Sequence, residues 1–143
     1  MGSREFQRGR RVVARLPYGG DLLTEVAAVA QEHGMVMAEL RAIGALRRAR
    51  LAYYDQDGHA YHEHAVDEPT ELVALLGTVT RRDGAAAVHA HATLATAQGD
   101  CVGGHVVPGC SIFACELVLQ ELVGETLRRG HDGQTGLPLW EDL

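Results

Sequence analysis

The stretch VHAHATLATAQGDCVGGHVV, residues 88–107, sets three of the chain's eight histidines in small, apolar surroundings. Its two halves carry β-favouring residues on either side of Gln98-Gly99-Asp100, a turn signal, so it reads as a β-hairpin. In a strand, residues i and i+2 point to the same face, roughly 6.6–6.8 Å apart along the chain. His89 and His91 therefore aim at one side, and Val88, Ala90 and Ala92 at the other. A turn centred on Gln98-Gly99 returns His105 to within a residue or two of His91, though not directly opposite it. Gly103 and Gly104 carry no side chains and leave room for a ligand or another backbone.

The alternative for such histidines is a half-buried sheet in which each imidazole bonds a backbone carbonyl. Three neutral imidazoles crowded without a metal, however, waste acceptor nitrogens and repel once protonated. Two imidazoles at i and i+2 can converge on one ion at about 2.0–2.1 Å per bond, with the third supplied by the returning strand. His89, His91 and His105 are therefore the candidate ligands of a divalent transition metal. Zinc stands first, although imidazole also suits Cu, Fe and Ni. A rival group, His59, His62 and His64 in GHAYHEHAVDE, sits among charged neighbours and reads as an exposed hairpin strand.

Outward from the hairpin, RRVVARL reads as a strand closed by Pro17 and Gly19-Gly20. Asp21 is placed to N-cap a helix over LLTEVAAVAQEH, with Leu22, Val26 and Val29 as its apolar stripe and Gly34 as its stop. MVMAELRAIG and LRRARLAYYD read as two strands joined around Gly44, and Asp57-Gly58 turns into a further strand, HAYHEHAV. EPTELVALLGTVT is ambiguous; its β-branched finish and Gly77 favour a strand. Asp83-Gly84 marks the next turn. As a strand, SIFACELVLQELV puts Phe113, Cys115, Leu117 and Leu119 on one face and Ile112, Ala114, Glu116 and Val118 on the other. Both faces are mostly apolar, which predicts a central, covered strand. Many strands with one secure helix give an α+β domain built on a mainly antiparallel sheet.

At 143 residues the chain is one domain by size, read as a flexible extension over 1–9 and a single domain over 10–143. No apolar run reaches the roughly 18–20 residues that span a bilayer, and the start lacks a secretory signal. Three cysteines without CxxC spacing, Cys101, Cys110 and Cys115, fit a reducing compartment, and the expected location is cytoplasmic. A net charge of −6, from 13 basic and 19 acidic residues, opposes a broad phosphate-gripping face. Local basic groups remain at Arg8, Arg10 and Arg11, and at Arg47, Arg48 and Arg50.

GALRRARLAYYD, TELVALLGTVT and the stretch from Val88 to Leu122 follow one another in an order that resembles the plants-and-prokaryotes conserved (PPC) domain. RRVVARLPYGGDLLTEV and LRRGHDGQTGLPLW resemble its prokaryotic single-domain form, often labelled PD1-like and DNA-binding. The most specific part is the H-x-H strand followed by G-G-H. The resemblance implies an antiparallel sheet flanked by helices, assembly as a homotrimer, and His89, His91 and His105 as the family's histidine cluster. Glu116 matches a recurrent acidic position, which implies either a surface carboxylate or a group orienting an imidazole. In plants such domains follow AT-hooks and mediate contacts among nuclear proteins. Here Arg8-Gly9-Arg10 is followed by Arg11 where the hook has proline, so DNA contact is expected to be weak or indirect.

Two functions are open at this stage. One is a trimeric binding or regulatory module whose metal site recognises a protein or small ligand, linked to DNA-associated regulation. The other is a hydrolase-like metalloenzyme, since three histidines leave a fourth position for water, with Glu116 or Glu71 as candidate base.

Overall fold

The structure is a computed structural model that describes residues 2–82, 84–141 and 143. Nine strands and one helix follow in the order β1 (Gln7–Leu16), α1 (Leu22–Glu32), β2 (Ala38–Asp55), β3 (Ala60–Val66), β4 (Thr70–Arg82), β5 (Ala85–Ala95), β6 (Cys101–Val106), β7 (Ser111–Val123), β8 (Arg129–His131) and β9 (Pro138–Trp140), counted among the described residues. The mainly antiparallel reading holds. The expectation of several flanking helices does not, because α1 alone forms among the described residues: the ambiguous EPTELVALLGTVT falls in β4 from Thr70 onward, and SIFACELVLQELV is the strand β7. Asp83 of the turn between β4 and β5, and Met1, lie outside the described residues.

The strands run in the order β1-β7-β2-β4-β5-β6, with β3 added to the end of β2. β2 is one strand of 18 residues rather than two. Gly44 does not break it; the register slips there, between Ala42 and Gly44 against β4. A Cβ on Gly44 would overlap the Ala114 carbonyl oxygen of β7, so the strand passes only because the residue is glycine. The first half of β2 lies between β7 and β4. Its second half pairs with β3 and, at Leu51 and Ala52, with β6. That last pairing closes β2, β4, β5 and β6 into a ring.

α1 begins as its local signals predict. Asp21 caps it, one carboxylate oxygen accepting from the Thr24 N–H at 3.1 Å and from the Thr24 hydroxyl at 3.0 Å. The other oxygen accepts from Gly109 N–H at 2.7 Å and Cys110 N–H at 3.2 Å, tying the helix to the loop before β7. Leu22, Val26 and Ala30 are fully buried against the sheet, while Val29 is only partly so. The inward residues of the strands (Leu40, Leu75, Leu94, Leu117 and Leu119 among them) complete the core on that one face.

The opposite face is open within one chain. Cross-strand partners share a face, and pairing aligns Val13, Val118, Arg41, Leu76, His91 and His105 in a single row across the sheet. Val13 is 72% exposed and Leu76 61%. β7 is central, as predicted, but is covered on one side only: Cys115, Leu117 and Leu119 are buried, whereas Glu116 is exposed. Phe113, predicted to share the buried face, is 58% exposed. The register slips on either side of Leu46, whose own partner is Ile112, and this takes Phe113 out of the alternation.

Because Asp21 serves both the helix start and the 109–110 loop, Asp21→Ala should cost about 2 kcal/mol, the upper end for a cap. Urea unfolding measures this, and a loss under about 0.5 kcal/mol would contradict the double role.

Candidate metal centre

β5 and β6 join through residues 96–100, where Thr96 N–H bonds the Asp100 carbonyl and Gly99 N–H bonds that of Thr96. Ala95 therefore pairs with Cys101, and His91 pairs directly with His105. The sequence expectation of an offset register is corrected: the turn is centred on Gln98 alone, half a step from the assumed Gln98-Gly99. His89 and His91 share the open face, while Ala90 and Ala92 are buried beneath them. Gly103 and Gly104 make room for backbone: a Cβ would come within 2.8 Å of the Ala92 carbonyl oxygen and 2.9 Å of that of Ala52. Close approach on both edges holds His105 between β5 and β2.

The three rings form a nearly equilateral triangle, with centroids 5.3 Å apart for His89–His91, 5.1 Å for His89–His105 and 5.4 Å for His91–His105. One nitrogen from each lies within 4.8 Å of the others. Tetrahedral zinc with bonds of about 2.0–2.1 Å needs nitrogens roughly 3.4 Å apart, a closure that small side-chain rotations supply. Nδ1 of His105 is buried and lacks a hydrogen-bond partner. A buried imidazole nitrogen without a partner, on a ring that meets two other imidazoles, fits a borderline-soft metal ion.

Burial first, then the Arg129 charge and the other two imidazoles, lowers the His89 pKa to about 4. Burial and His91 lower that of His105 as well. Both rings are thus neutral near pH 7, the form that ligates metal.

A cavity of about 630 Å³ opens over the triangle, walled by Tyr54, Tyr61, Val88 and Leu139 and containing Arg129. Tyr61 stacks on His105 with centroids 4.9 Å apart. Arg129 comes from the small β8–β9 hairpin, whose turn is held by Asp132 accepting from Thr135 N–H and hydroxyl. Tyr54 fastens that turn to the sheet by donating to the Thr135 carbonyl at 2.7 Å. Arg129 donates from Nη1 to the Pro138 carbonyl at 3.0 Å and reaches His89 Nδ1 and Thr78 Oγ1 only at 3.4 Å. Sequence reading singled out neither Arg129 nor the tyrosines. The only available signal was the Gly-rich turn of RRGHDGQTG, which says nothing of where the hairpin docks.

Glu116 is not brought to the imidazoles within one chain. It pairs with Arg15 and Ile43, and three strand spacings, roughly 14 Å, separate β7 from β5. Glu71 pairs with Ala95 near the loop end of β5, and neither carboxylate lines the cavity. The rival histidines behave as surface residues: His62 lies 3.7 Å from Asp55 and is exposed, and His59 stacks on Tyr54.

The family model of the Plants and Prokaryotes Conserved (PCC) domain matches residues 3–123. The chain belongs to this family. Among solved structures, the PCC domain described here is similar to the metal-containing protein AF0104 of Archaeoglobus fulgidus, at 38% identity and a TM-score of 0.93, covering 98% of this chain and 99% of that one. It is similar to a plant- and prokaryote-conserved protein of Pyrococcus horikoshii, at 34% identity and a TM-score of 0.92, covering 100% and 99%. A curated relative, the bifunctional protein GlmU of Synechococcus sp. (strain JA-2-3B'a(2-13)), is 36% identical over 124 residues, 85% of this chain. The chain spans only 18% of that protein's length. No helix among the described residues is long and apolar enough to cross a membrane.

For the metal-free PCC domain, the sign of the pH dependence follows from His89. Its folded pKa of about 4 lies below the ordinary 6.5, so the unfolded chain takes up a proton first as pH falls. Stability should therefore decline between pH 6.5 and about 4 in the presence of a chelator. His89→Asn should flatten that interval in denaturant midpoints, and an unchanged slope would contradict the assignment.

Proposed function

We propose that this PCC domain is a trimeric binding and regulatory module whose three-histidine site holds a divalent transition metal, zinc first. What carries the reading is that His89, His91 and His105 bring ligating nitrogens within 4.8 Å of one another at the floor of a cavity. Kinship with a protein described as metal-containing, at 38% identity over nearly the whole of both chains, supports it. Bound there, the ion would supply a Lewis-acidic centre with a position open to a ligand. The chain's own residues orient it: the β5–β6 register sets His91 against His105, and Tyr61 fixes the His105 ring by stacking. No carboxylate is among the described residues lining the cavity. Neither Glu116 nor Glu71, the bases that the hydrolase reading names, lines it.

Assembly as a trimer draws support from the open sheet face. Val13, Ile43 and Leu76 are large, apolar and more than half exposed on one surface, an arrangement that marks contact with another chain. DNA is an indirect partner in this reading. Arg10 is held by Glu121 through hydrogen bonds of 2.7 and 2.9 Å, which offsets its charge, whereas Arg11 bonds only the neutral Gln120 amide at 3.0 Å; the few charges left at the start of β1 make a narrow patch for phosphates. A cytoplasmic setting is consistent with this module.

Elemental analysis should find up to one metal per chain, sharply reduced by His91→Ala and unaffected by His62→Ala. No metal in the purified protein and none taken up from added zinc would end the reading, and equal losses in the two variants would move the site to the other histidines. Light scattering at micromolar concentration should give a trimer mass, lowered by Leu76→Glu. A monomer mass for the unaltered chain would contradict the assembly.

A further inference from the structure

We propose that the cavity over the histidine triangle binds a small carboxylate with a flat, apolar body, its carboxylate held by Arg129; this deepens the metal-site reading and rests on it. Arg129 lines the cavity as a cation with no carboxylate partner among the described residues. Its donors are under-used: Nε is buried without a partner, and Nη2 has only the two contacts at 3.4 Å. The guanidinium also lies over the Trp140 ring, 5.1 Å from its centroid, but a π face takes none of these N–H donors, and an anion would.

The neighbours make the site specific. Three imidazoles meant for a cation lie beside a second fixed cation, so metal and Arg129 repel each other across His89. An anion placed between them is attracted by both. Its charge offsets that repulsion, and its oxygens take the donors that Nη2 now extends toward the His89 ring. Of the two arginines lining the cavity, Arg82 is already engaged; the Arg129 guanidinium by itself matches a carboxylate's planar fork, whereas a phosphate dianion calls for more donors than it supplies.

The walls describe the rest of the ligand. Tyr54 and Tyr61 pack with centroids 4.9 Å apart, and Val88, Leu137 and Leu139 face the same space. These are surfaces for a ring or short hydrocarbon rather than for a sugar or peptide. A volume of about 630 Å³ lies within the range of small-molecule sites.

Attraction to one anion also couples the two sites. A carboxylate should tighten zinc, and zinc should tighten the carboxylate by the same factor, since binding free energies are reciprocal.

Benzoate, benzamide and inorganic phosphate serve as probes in calorimetric titrations of the zinc-loaded and the chelator-treated full chain, with zinc content measured separately. Benzoate should bind the zinc-loaded chain about tenfold more tightly than its uncharged isostere benzamide. Arg129→Gln should abolish that preference, and Arg129→Lys should retain part of it. Retention by the lysine variant, together with an unchanged thermal midpoint, separates lost charge from a hairpin that no longer docks. Equal affinity for benzoate and benzamide, an effect of Arg129→Gln on both alike, or a preference for phosphate overturns the proposal. Failure of zinc uptake overturns the metal reading instead. The benzoate preference of the metal-free chain then still tests Arg129 alone, and its absence overturns the carboxylate site too.

Discussion

Everything at the functional end of this domain depends on one backbone arrangement, the double pairing of β6. His105 is paired with His91 on one edge and with Ala52 on the other. A six-residue strand gripped on both sides cannot slide, and a one-residue slip would turn His105 to the other face. The glycines permit this grip, since Gly103 and Gly104 admit carbonyl oxygens where a side chain would collide. The ring so formed holds the third imidazole at a fixed distance from the other two.

The same architecture explains why one face is finished and the other is not. α1 covers the inward leucines, and its position is secured at its first turn by Asp21, which binds both the helix and the approach to β7. The outward row is left exposed at Val13 and Leu76, and only its histidine end is overlain, by Tyr61 and the β8–β9 hairpin. Apolar contact surface and polar site therefore lie on one continuous sheet face. Any partner on the first is a neighbour of the second.

Legibility in the sequence tracked how local each determinant is. The helix was readable because cap, stripe and stop lie within fourteen residues, from Asp21 to Gly34. His89 and His91 were readable because alternation along a strand needs no tertiary knowledge. His105 was nearly so, displaced only by the choice of turn centre. Gly44 misled, because a glycine that lets a strand bend past its neighbour looks like one that ends it. Phe113 misled too, since its alternation is interrupted by a register slip against β2. Glu116 followed from a family pattern, but strand order puts β2 and β4 between it and the three clustered histidines. Arg129 could not be found at all: its place depends on a hairpin docking through Tyr54 and Thr135, 81 residues apart.

That docking decides how the imidazoles behave. A guanidinium has donors only, so its approach to His89 Nδ1 at 3.4 Å uses that nitrogen's lone pair and leaves the ring proton on Nε2. In that tautomer neither nitrogen of His89 is free for a metal. If Nδ1 is the ligating atom, Arg129 must withdraw from it; if Nε2 is, the proton must move to Nδ1 and Arg129 must withdraw again. Either way, a metal held here would compete with the guanidinium for one imidazole, and the contact at the limit of hydrogen-bonding distance is weak enough to yield. Among the described residues, His91 and His105 face no such competitor. The triangle is therefore unequal: His89 alone is approached by a guanidinium, and its availability depends on where the β8–β9 hairpin sends its arginine.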